Sequence, residues 1–553
     1  VSSLVPVVSS NVGASLPDGW AAVGFPDRGN GPYRLLRGAN IDVVRAFEAS
    51  VLDPKAAQER ALARVLAAVA GTEQARALGL ASVRTVAELR AAAPIRPFEA
   101  FADALDRMAD GAPSVLVADP VRRFVKTSGT TGRPKLLPVT DAWARQVSAA
   151  QALWVTAMVQ EQEEVIHGKA LVGVGPVDEG TTRGGLRYGS NTGRMAAGQP
   201  WIVRARYAVP ARVHEIEDVE VRSYVALRLA LSADVRTWTT ANPSSILATC
   251  RLFERWREEL TADCADGTLR RGPAAGLAAS LRWRLWWATR RARLPDGVRL
   301  GERWRLAAIN CWKGGAAPYF LDRLPAALGA RVPVRDPGVS ASEGTFAVPL
   351  HSSWWGGAAF ADGPFVELVP EGGGDPVLLH EAEAGASYRL VISTVAGLLR
   401  YDLNDVVRVE GHLGRLPVLR FLRKGRDVLS VVGEKVTAEQ VVEAARGAAA
   451  WASGFSVGVR LAEVPVYVLL LEGAGDVSSA AAAFERALCA LNPEYAGKRA
   501  TFRLAAAVAE RVPDGTFARV RASRLAAGAA EGQVKDPVLA HGDELDRLAG
   551  GWT

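Results

Sequence analysis

The chain has 553 residues, enough for two to four domains and a large core. Hydrophobic residues make up 49% and charged residues 23%, which fits a globular protein, and no apolar run approaches the ~18 residues of a membrane-spanning helix. A net charge of +7 raises nucleic-acid binding, but the Arg residues are spread along the chain with no basic block interleaved with aromatics, which argues against it.

Residues 1–32 carry Ser, Pro and Gly with poor periodicity and read as an N-terminal arm or loop. They have neither the basic region nor the long apolar core of a cleaved secretory signal. From Ile41 to Asp110, Ala, Leu and Arg recur at helical spacing, which predicts several helices. "RRFVKTSGTTG" predicts a strand running into a glycine-rich turn. "PVTDAWARQVSAAQALWVTAMV" predicts a long helix capped by Thr140 or Asp141.

The middle alternates short β-rich runs such as "KALVGVGP" and "WRLAAINCW" with helical runs, which predicts an α/β region with a largely parallel sheet. Within it, Arg282 to Arg305 reads as an amphipathic helix with snorkelling Arg. From about Ala359 to Val431, short strands separated by Gly, Pro and acidic turns predict a β-rich subdomain. After Val431, a helix, a strand pair and a second helix predict a small α+β unit. The expected layout is an arm over 1–32, a large α/β domain over 33–425 with its β-rich part at 359–425, and a small domain over 426–553. The boundary is placed near Phe421 to Ser430. Cys250, Cys264, Cys311 and Cys489 form no CxxC pair and no zinc spacing, so reduced thiols in a cytoplasmic protein are the expectation.

"KTSGTTGRPKLLPVT", Lys126 to Thr140, is the segment with most chemistry. Gly129 and Gly132 let backbone approach a polyphosphate without a Cβ clash. Ser128, Thr130 and Thr131 supply hydroxyls, successive N–H groups can form an anion nest, and Lys135 adds charge. It is not a Walker A loop, because Arg133 and Pro134 separate Gly132 from the Lys. In "GVSASEGTF", the small residues Ser340, Ala341 and Ser342 would let an adenine ring lie against backbone, and Glu343 could help hold Mg²⁺. In "LLRYDLNDVVRV", Asp405 follows a turn, and its carboxylate can accept both ribose hydroxyls. Near the C-terminus, Lys535 falls in a Gly-flanked loop. Lys is rare in this Arg-rich chain, so a Lys inside a motif marks a place that needs a compact ammonium. Apart from the phosphate loop, each segment alone reads as an ordinary loop, turn or surface lysine; their order is what informs.

A phosphate loop, an S-x-S-E loop, a Y-x-x-x-D strand and a late lysine in a small domain together resemble the adenylate-forming enzymes. One branch is closer: the auxin-responsive Gretchen Hagen family of acyl acid amido synthetases, which includes jasmonate–amino acid synthetases. "GRPKLLP" is similar to that family's lysine-x-x-proline ending, and "FERWREELTADCADGTL" to its helix and "D-I-x-x-G-x-L" turn. "STVAGLLRYDLNDVVRVEGHLGRLPVLRFLRK" is similar to its "T-x-x-G-L-Y-R-Y-x-x-G-D" strand and "P-x-x-x-F-x-x-R-K". "LSVVGEKVTAEQV" resembles "L-S-I-x-x-D-K-x-x-E", and "EGQVKDP" its "G-x-x-x-x-x-Q-x-K-x-P" ending. The resemblance covers roughly residues 33 to 540. Asn404 stands where the family has Gly, Glu434 replaces an Asp, and Val538 stands where an Arg is frequent. The Ala/Arg-rich composition suggests a bacterial member.

The resemblance implies the adenylate-forming fold, with a large N-terminal domain and a small mobile C-terminal domain. It implies an ATP- and Mg²⁺-dependent ligase that makes acyl-AMP and pyrophosphate from a carboxylic acid, then passes the acyl group to an amine, expected to be an amino acid. The alternative acceptor is a thiol of coenzyme A or a carrier protein. Ser128, Gly129, Thr130, Thr131, Gly132 and Lys135 would serve phosphate. Ser340, Ala341, Ser342, Tyr401, Asp405 and Lys424 would serve the rest of the nucleotide, and Glu343 the metal. Lys435 and Lys535 would act on the α-phosphate. "RYGSNTGRM", Arg187 to Met195, resembles a segment lining the acid site, making Tyr188 and Ser190, with Trp154, candidate pocket residues. No nucleic-acid or membrane partner is expected.

Overall fold

The computed structural model describes residues 25–26, 29–127, 135–285, 289–425, 428–526 and 537–552. They fall into two compact units. One runs up to Thr127 and resumes over Lys135–Arg423, and the other extends from Lys424 onward.

The larger unit opens with short helices whose starts are fixed by side-chain caps. Asp53 accepts the amide of Ala56 at 3.1 Å, with a proline at the first position of Pro54–Val69. Thr85 and Glu88 close a reciprocal capping box on Val86–Ala92. The expected long helix is Asp141–Glu161, and Thr140 is its cap, accepting the amide of Trp143 at 3.2 Å.

Three sheets follow. A four-stranded sheet carries Arg123–Thr127 at its centre, antiparallel to Lys135–Val139 and parallel to Arg187–Gly189. A second joins Lys169–Val172, Val235–Thr239, Ala308–Asn310 and Val334–Arg335 in chain order, and every pairing in it is parallel, as the alternation of β and helical runs predicts. The helices between these strands end where backbone chemistry directs. Arg257–Asp266, for example, stops at Gly267, whose φ of 72° is open to glycine at little cost.

The third sheet has eight strands. It takes in Val339–Ala341, Gly344–Val348 and Gly357–Ala359, all upstream of the point where β-rich sequence was expected to begin. Those strands are short and made largely of Gly, Ala and Ser, so they carry little strand signal. "DVVRVEG" is no separate strand. It belongs to one continuous strand, Tyr401–Leu413. Arg282 to Arg305 also differs from expectation. Among its described residues helix covers Ala279–Leu285 and Leu300–Arg303, while 289–299 is not helical and carries Pro295 and, at φ 69°, Gly297, neither of which suits a helix interior.

Beyond the last parallel strand, Asp336 is 4% exposed. Its carboxylate accepts the amides of Gly338 at 2.8 Å and Lys313 at 3.2 Å. Burial pushes its pKa up to about 6, against the pull of those amides and of Lys313 and Arg420. The folded chain therefore holds a proton that the unfolded chain gives up. Stability falls as pH rises from near 3.8 through about 6, and the full cost, roughly 3 kcal/mol, is present above that range. Asp336→Asn is expected to flatten this part of the profile. Urea midpoints of both proteins at pH 4.5 and pH 7.5 would read it, and parallel profiles would refute it.

The smaller unit has a four-stranded sheet in the order Val508–Arg511, Val466–Glu472, Gly454–Arg460, Leu539–Ala540, with an antiparallel centre and parallel outer pairs. The helices Ala438–Ala448 and Val477–Leu491 carry Thr437 and Asp476 as caps. The predicted helix, strand pair and helix are all present. Among the described residues no helix is long and apolar enough to cross a membrane.

Candidate functional site

Lys135 begins its strand opposite Thr127 and is 9% exposed. Its Nζ lies 3.7 Å from the centroid of the Phe98 ring. A desolvated ammonium over an aromatic face is worth ~2 kcal/mol, so the ring helps to hold the cation in place. Phe98 in turn meets Tyr401 edge-on at 6.4 Å, and Phe101 meets the same tyrosine at 5.9 Å. Burial drives the Tyr401 phenol well above its ordinary pKa, helped by the carboxylates of Glu343, Asp405, Glu99 and Asp402. The hydroxyl is therefore neutral at physiological pH. One buried phenol thus gathers Lys135, through Phe98, with Glu343 and Asp405 in its electrostatic surroundings. These four candidates come from three separate sequence segments, those of Lys135, of Glu343, and of Tyr401 with Asp405.

Glu343 does not sit in an open loop. Val339–Ala341 pairs antiparallel with Gly344–Val348, Gly344 opposite Ala341, so Ser342 and Glu343 form the tip of a tight hairpin. Ser340 and Ala341 are therefore strand residues. The indole N–H of Trp143, in the first turn of Asp141–Glu161, donates to the Glu343 carbonyl at 2.8 Å and fixes that tip. The Glu343 residue is 8% exposed. Mg²⁺ at nucleotide sites takes one or two carboxylates plus substrate phosphates, and a single buried carboxylate fits such an ion. Among the described residues no cluster of His, Cys, Asp or Glu could hold a metal by protein ligands alone.

Asp405 was expected after a turn. It lies within a strand at a bulge. Opposite Ser387–Ser393 the register shifts between Arg389, which faces Val406, and Val391, which faces Asp402. Asn404 forms the bulge at φ 58°, and its amide donates to Oδ1 of Asp402 at 3.0 Å. Asn tolerates left-handed backbone better than other L-residues, so it keeps the conformation a glycine would have. Asn404→Gly is expected to be near neutral. Asn404→Val should lower stability by ~1–2 kcal/mol. Chemical denaturation would check this, and a harmless valine would sink it.

The remaining candidates in this unit have structural partners. Tyr188 pairs with Phe124 on one side and Gly180 on the other, its ring packed over Gly180. The Ser190 Oγ caps Asn191–Ala197 by accepting the amide of Gly193 at 2.9 Å. The indole of Trp154 donates to the Asp336 carbonyl at 2.9 Å. Trp154 and Tyr188 are both partly buried against the main core. Lys424, the first described residue of the smaller unit, is the last residue of the strand Leu416–Lys424.

In the smaller unit, Lys435 adopts φ 50°, a strained choice for a lysine. The preceding Glu434 is fully buried. Its carboxylate accepts the amides of Val431 and Val432 at 2.9 and 2.8 Å and the hydroxyl of Tyr467 at 2.7 Å. The Asn492 Nδ2 donates to the carbonyls of Glu434 and Lys435, each at 3.2 Å. Glu in place of Asp thus reaches three donors that fold the 431–435 loop. Burial would raise the Glu494 carboxyl, but Lys498, Lys435 and Arg503 together hold it below its ordinary range.

Ser128, Gly129, Thr130, Thr131, Gly132 and Lys535 lie outside the described residues. Sequence reasoning missed Phe98, Trp143 and the buried pair Arg400–Glu367. Only Trp143 left a trace, three residues after a cap.

Comparison with known proteins follows the same lines. The GH3 family N-terminal domain matches residues 43–334, the GH3 family central domain residues 359–424, and the GH3 family C-terminal domain residues 436–544. A probable indole-3-acetic acid-amido synthetase, GH3.12 of Oryza sativa subsp. japonica, is 26% identical over 90% of this chain and 93% of its own. A jasmonoyl–L-amino acid synthetase, JAR4 of Nicotiana attenuata, is 24% identical over the same shares. The solved structure of a GH3.15 acyl acid amido synthetase in complex with 2,4-DB has a TM-score of 0.63 at 19% identity, covering 94% of this chain and 95% of that one.

Proposed function

The chain belongs to the GH3 family, and from that premise we infer that it is an ATP-dependent acyl acid amido synthetase. It adenylates a small carboxylic acid and passes the acyl group to an amine, most directly an amino acid, as the names of its relatives indicate for those proteins. The observation that carries the reading is the gathering of Lys135, Tyr401, Glu343 and Asp405 around one buried aromatic cluster.

In the first half-reaction a carboxylate oxygen attacks the α-phosphorus of ATP. The bond to the β-phosphate oxygen breaks and pyrophosphate leaves. Negative charge grows on the phosphoryl oxygens, so fixed donors and cations aimed there lower the barrier. Asp405 accepts the ribose hydroxyls, beside Tyr401. Ser340, Ala341 and Ser342 flank the adenine, and Ser128 to Gly132 with Lys135 hold phosphate. Lys424 belongs to the nucleotide side, and Lys435 and Lys535 supply charge at the α-phosphate. Glu343 would hold Mg²⁺, which when bound neutralises phosphate charge. In the second half-reaction an amine nitrogen attacks the acyl carbonyl, the C–O bond to AMP breaks, and the ammonium proton is lost to solvent. Trp154, Tyr188 and Ser190 stay assigned to the acid site.

Residues 33–425, including the β-rich part at 359–425, form the acid- and ATP-binding domain in this reading, 426–553 the small domain, and 1–32 an arm. The four cysteines are free thiols, three of them buried, which supports a reducing, cytoplasmic setting.

The test is pyrophosphate release with a carboxylic acid pool present or absent, crossed with an amino acid pool present or absent, products read by mass. Acid-dependent pyrophosphate with a new amide mass only when amino acids are added is the expected result. Thioester formation with coenzyme A and no amide would overturn the acceptor. Absence of pyrophosphate with every acid would overturn the ligase.

A further inference from the structure

Arg194 lies on the Asn191–Ala197 helix, and among the described residues it has no carboxylate partner. Its Nε and Nη2 both donate to one neutral acceptor, the Oδ1 of Asn191, at 3.2 Å. The guanidinium carbon rests 4.8 Å from the ring of Trp143. The residue is half-buried, and its pKa is lowered to about 10 by burial and by a second cation, Arg123. The acids beside Arg123 and Lys126 are engaged. Asp178 pairs with Arg123 at 3.0 Å and Arg187 at 2.7 Å, and Glu179 pairs with Lys126 at 2.7 Å. A half-buried guanidinium whose partners among the described residues are an amide oxygen and an indole face is electrostatically costly. An anion that arrives with a ligand would relieve it.

The surroundings say which anion. Arg187–Gly189 runs parallel to Arg123–Thr127 with Val125 opposite Gly189. The Arg194 helix therefore starts level with the end of the strand that leads into Ser128. That helix is pressed onto the segment that follows the carboxyl end of parallel strand Lys169–Val172, since a Cβ on Gly193 would come within 2.5 Å of the Gly175 carbonyl oxygen. Ligands of α/β sheets gather outside the carboxyl ends of parallel strands. The ring beneath Arg194 is the one whose N–H holds the Glu343 carbonyl.

We propose that Arg194 is a receptor for the polyphosphate of ATP, contacting its β- or γ-phosphate oxygens and the pyrophosphate that leaves. The proposal rests on the ligase reading for the identity of the nucleotide, but its test needs no turnover. Calorimetric titrations of the full chain with inorganic pyrophosphate, MgATP and AMP would compare wild type, Arg194→Gln and Arg194→Lys. Arg194→Gln should weaken pyrophosphate and MgATP ~10–100-fold and leave AMP unchanged, with Arg194→Lys intermediate. The glutamine protein should melt no lower than wild type, because it has lost an uncompensated charge. A lower melting temperature with unchanged pyrophosphate affinity would make Arg194 a structural partner of Trp143 and overturn the proposal. A weakened apparent KM for the acid with unchanged MgATP and pyrophosphate binding would transfer the anion to the acid's carboxylate and also overturn it. Wild type that binds MgATP without making acyl-AMP would sink the ligase reading and leave Arg194 to be judged by its own titrations.

Discussion

Lys535→Ala is expected to slow acyl-AMP formation by ~10²–10³-fold, the scale of losing one donor aimed at charge that develops in the transition state. Lys535 lies in "EGQVKDP", the segment that resembles the family's C-terminal signature. A lysine kept in a chain that otherwise uses Arg points to a compact ammonium rather than a flat, forked cation. The α-phosphate in flight is a small, crowded centre that suits it. An interaction made only in the transition state lowers kcat and kcat/KM equally and leaves the KM for ATP in place. Single-turnover formation of acyl-AMP would measure the effect, with amide formation from supplied acyl-AMP as the companion experiment. That second step should lose far less, since its bond changes occur at the carbonyl. Unchanged adenylation would remove Lys535 from the mechanism. Loss of both steps with a lowered melting temperature would make it structural.

Which residues the sequence disclosed follows from what kind of physics holds them. Lys135, Glu343 and Asp405 stand in short polar motifs between apolar runs, where a charge has no packing reason to be. Their backbone settings were less legible. Asn404 followed by Asp405 reads locally as a turn, yet the strand continues through it, because the ladder on either side outweighs a single left-handed residue. Lys435 at φ 50° gave no local sign. Its conformation is imposed by Glu434, Tyr467 and Asn492, and Asn492 is 57 residues away. Phe98 was invisible for another reason. An aromatic in a helical stretch looks like core until a cation from another strand is found over its face. Arg194 was hidden by composition: one Arg among many cannot be singled out until its partners, and its lack of a carboxylate, are known. The broad α/β alternation was readable because parallel strands and helices announce themselves by period, whereas in the Arg282 to Arg305 segment the stripe of Trp and Arg misled: 289–299, with Pro295 and Gly297, is not helical.

Glu367→Ala should destabilise the larger unit by about 3–5 kcal/mol and take nucleotide binding with it. Glu367 is 1% exposed on the Phe365–Pro370 strand. Its Oε2 accepts from Nε of Arg400 at 2.8 Å, and its Oε1 accepts from Nη2 of Arg400 at 3.2 Å and from Nε of Arg90 at 2.8 Å. Arg400 is also tied by its Nη1 to the Ala93 carbonyl at 2.8 Å and by its amide to Oγ of Ser393 at 2.9 Å. These ties hold Arg400 at φ 46°, immediately before Tyr401 and five residues before Asp405 and its bulge. Removing the carboxylate leaves a buried guanidinium with no counter-charge, and the least costly relaxation is to release the start of that strand. The predicted signature is a large drop in urea midpoint with a raised KM for ATP, and partial recovery of both in the double variant Glu367→Leu, Arg400→Met, which removes the orphaned charge as well. If the alanine alone changes stability by less than 1 kcal/mol, the pair contributes nothing that its surroundings do not already supply. If stability falls while ATP binding is untouched, the pair braces the sheet and has no part in setting the ribose strand.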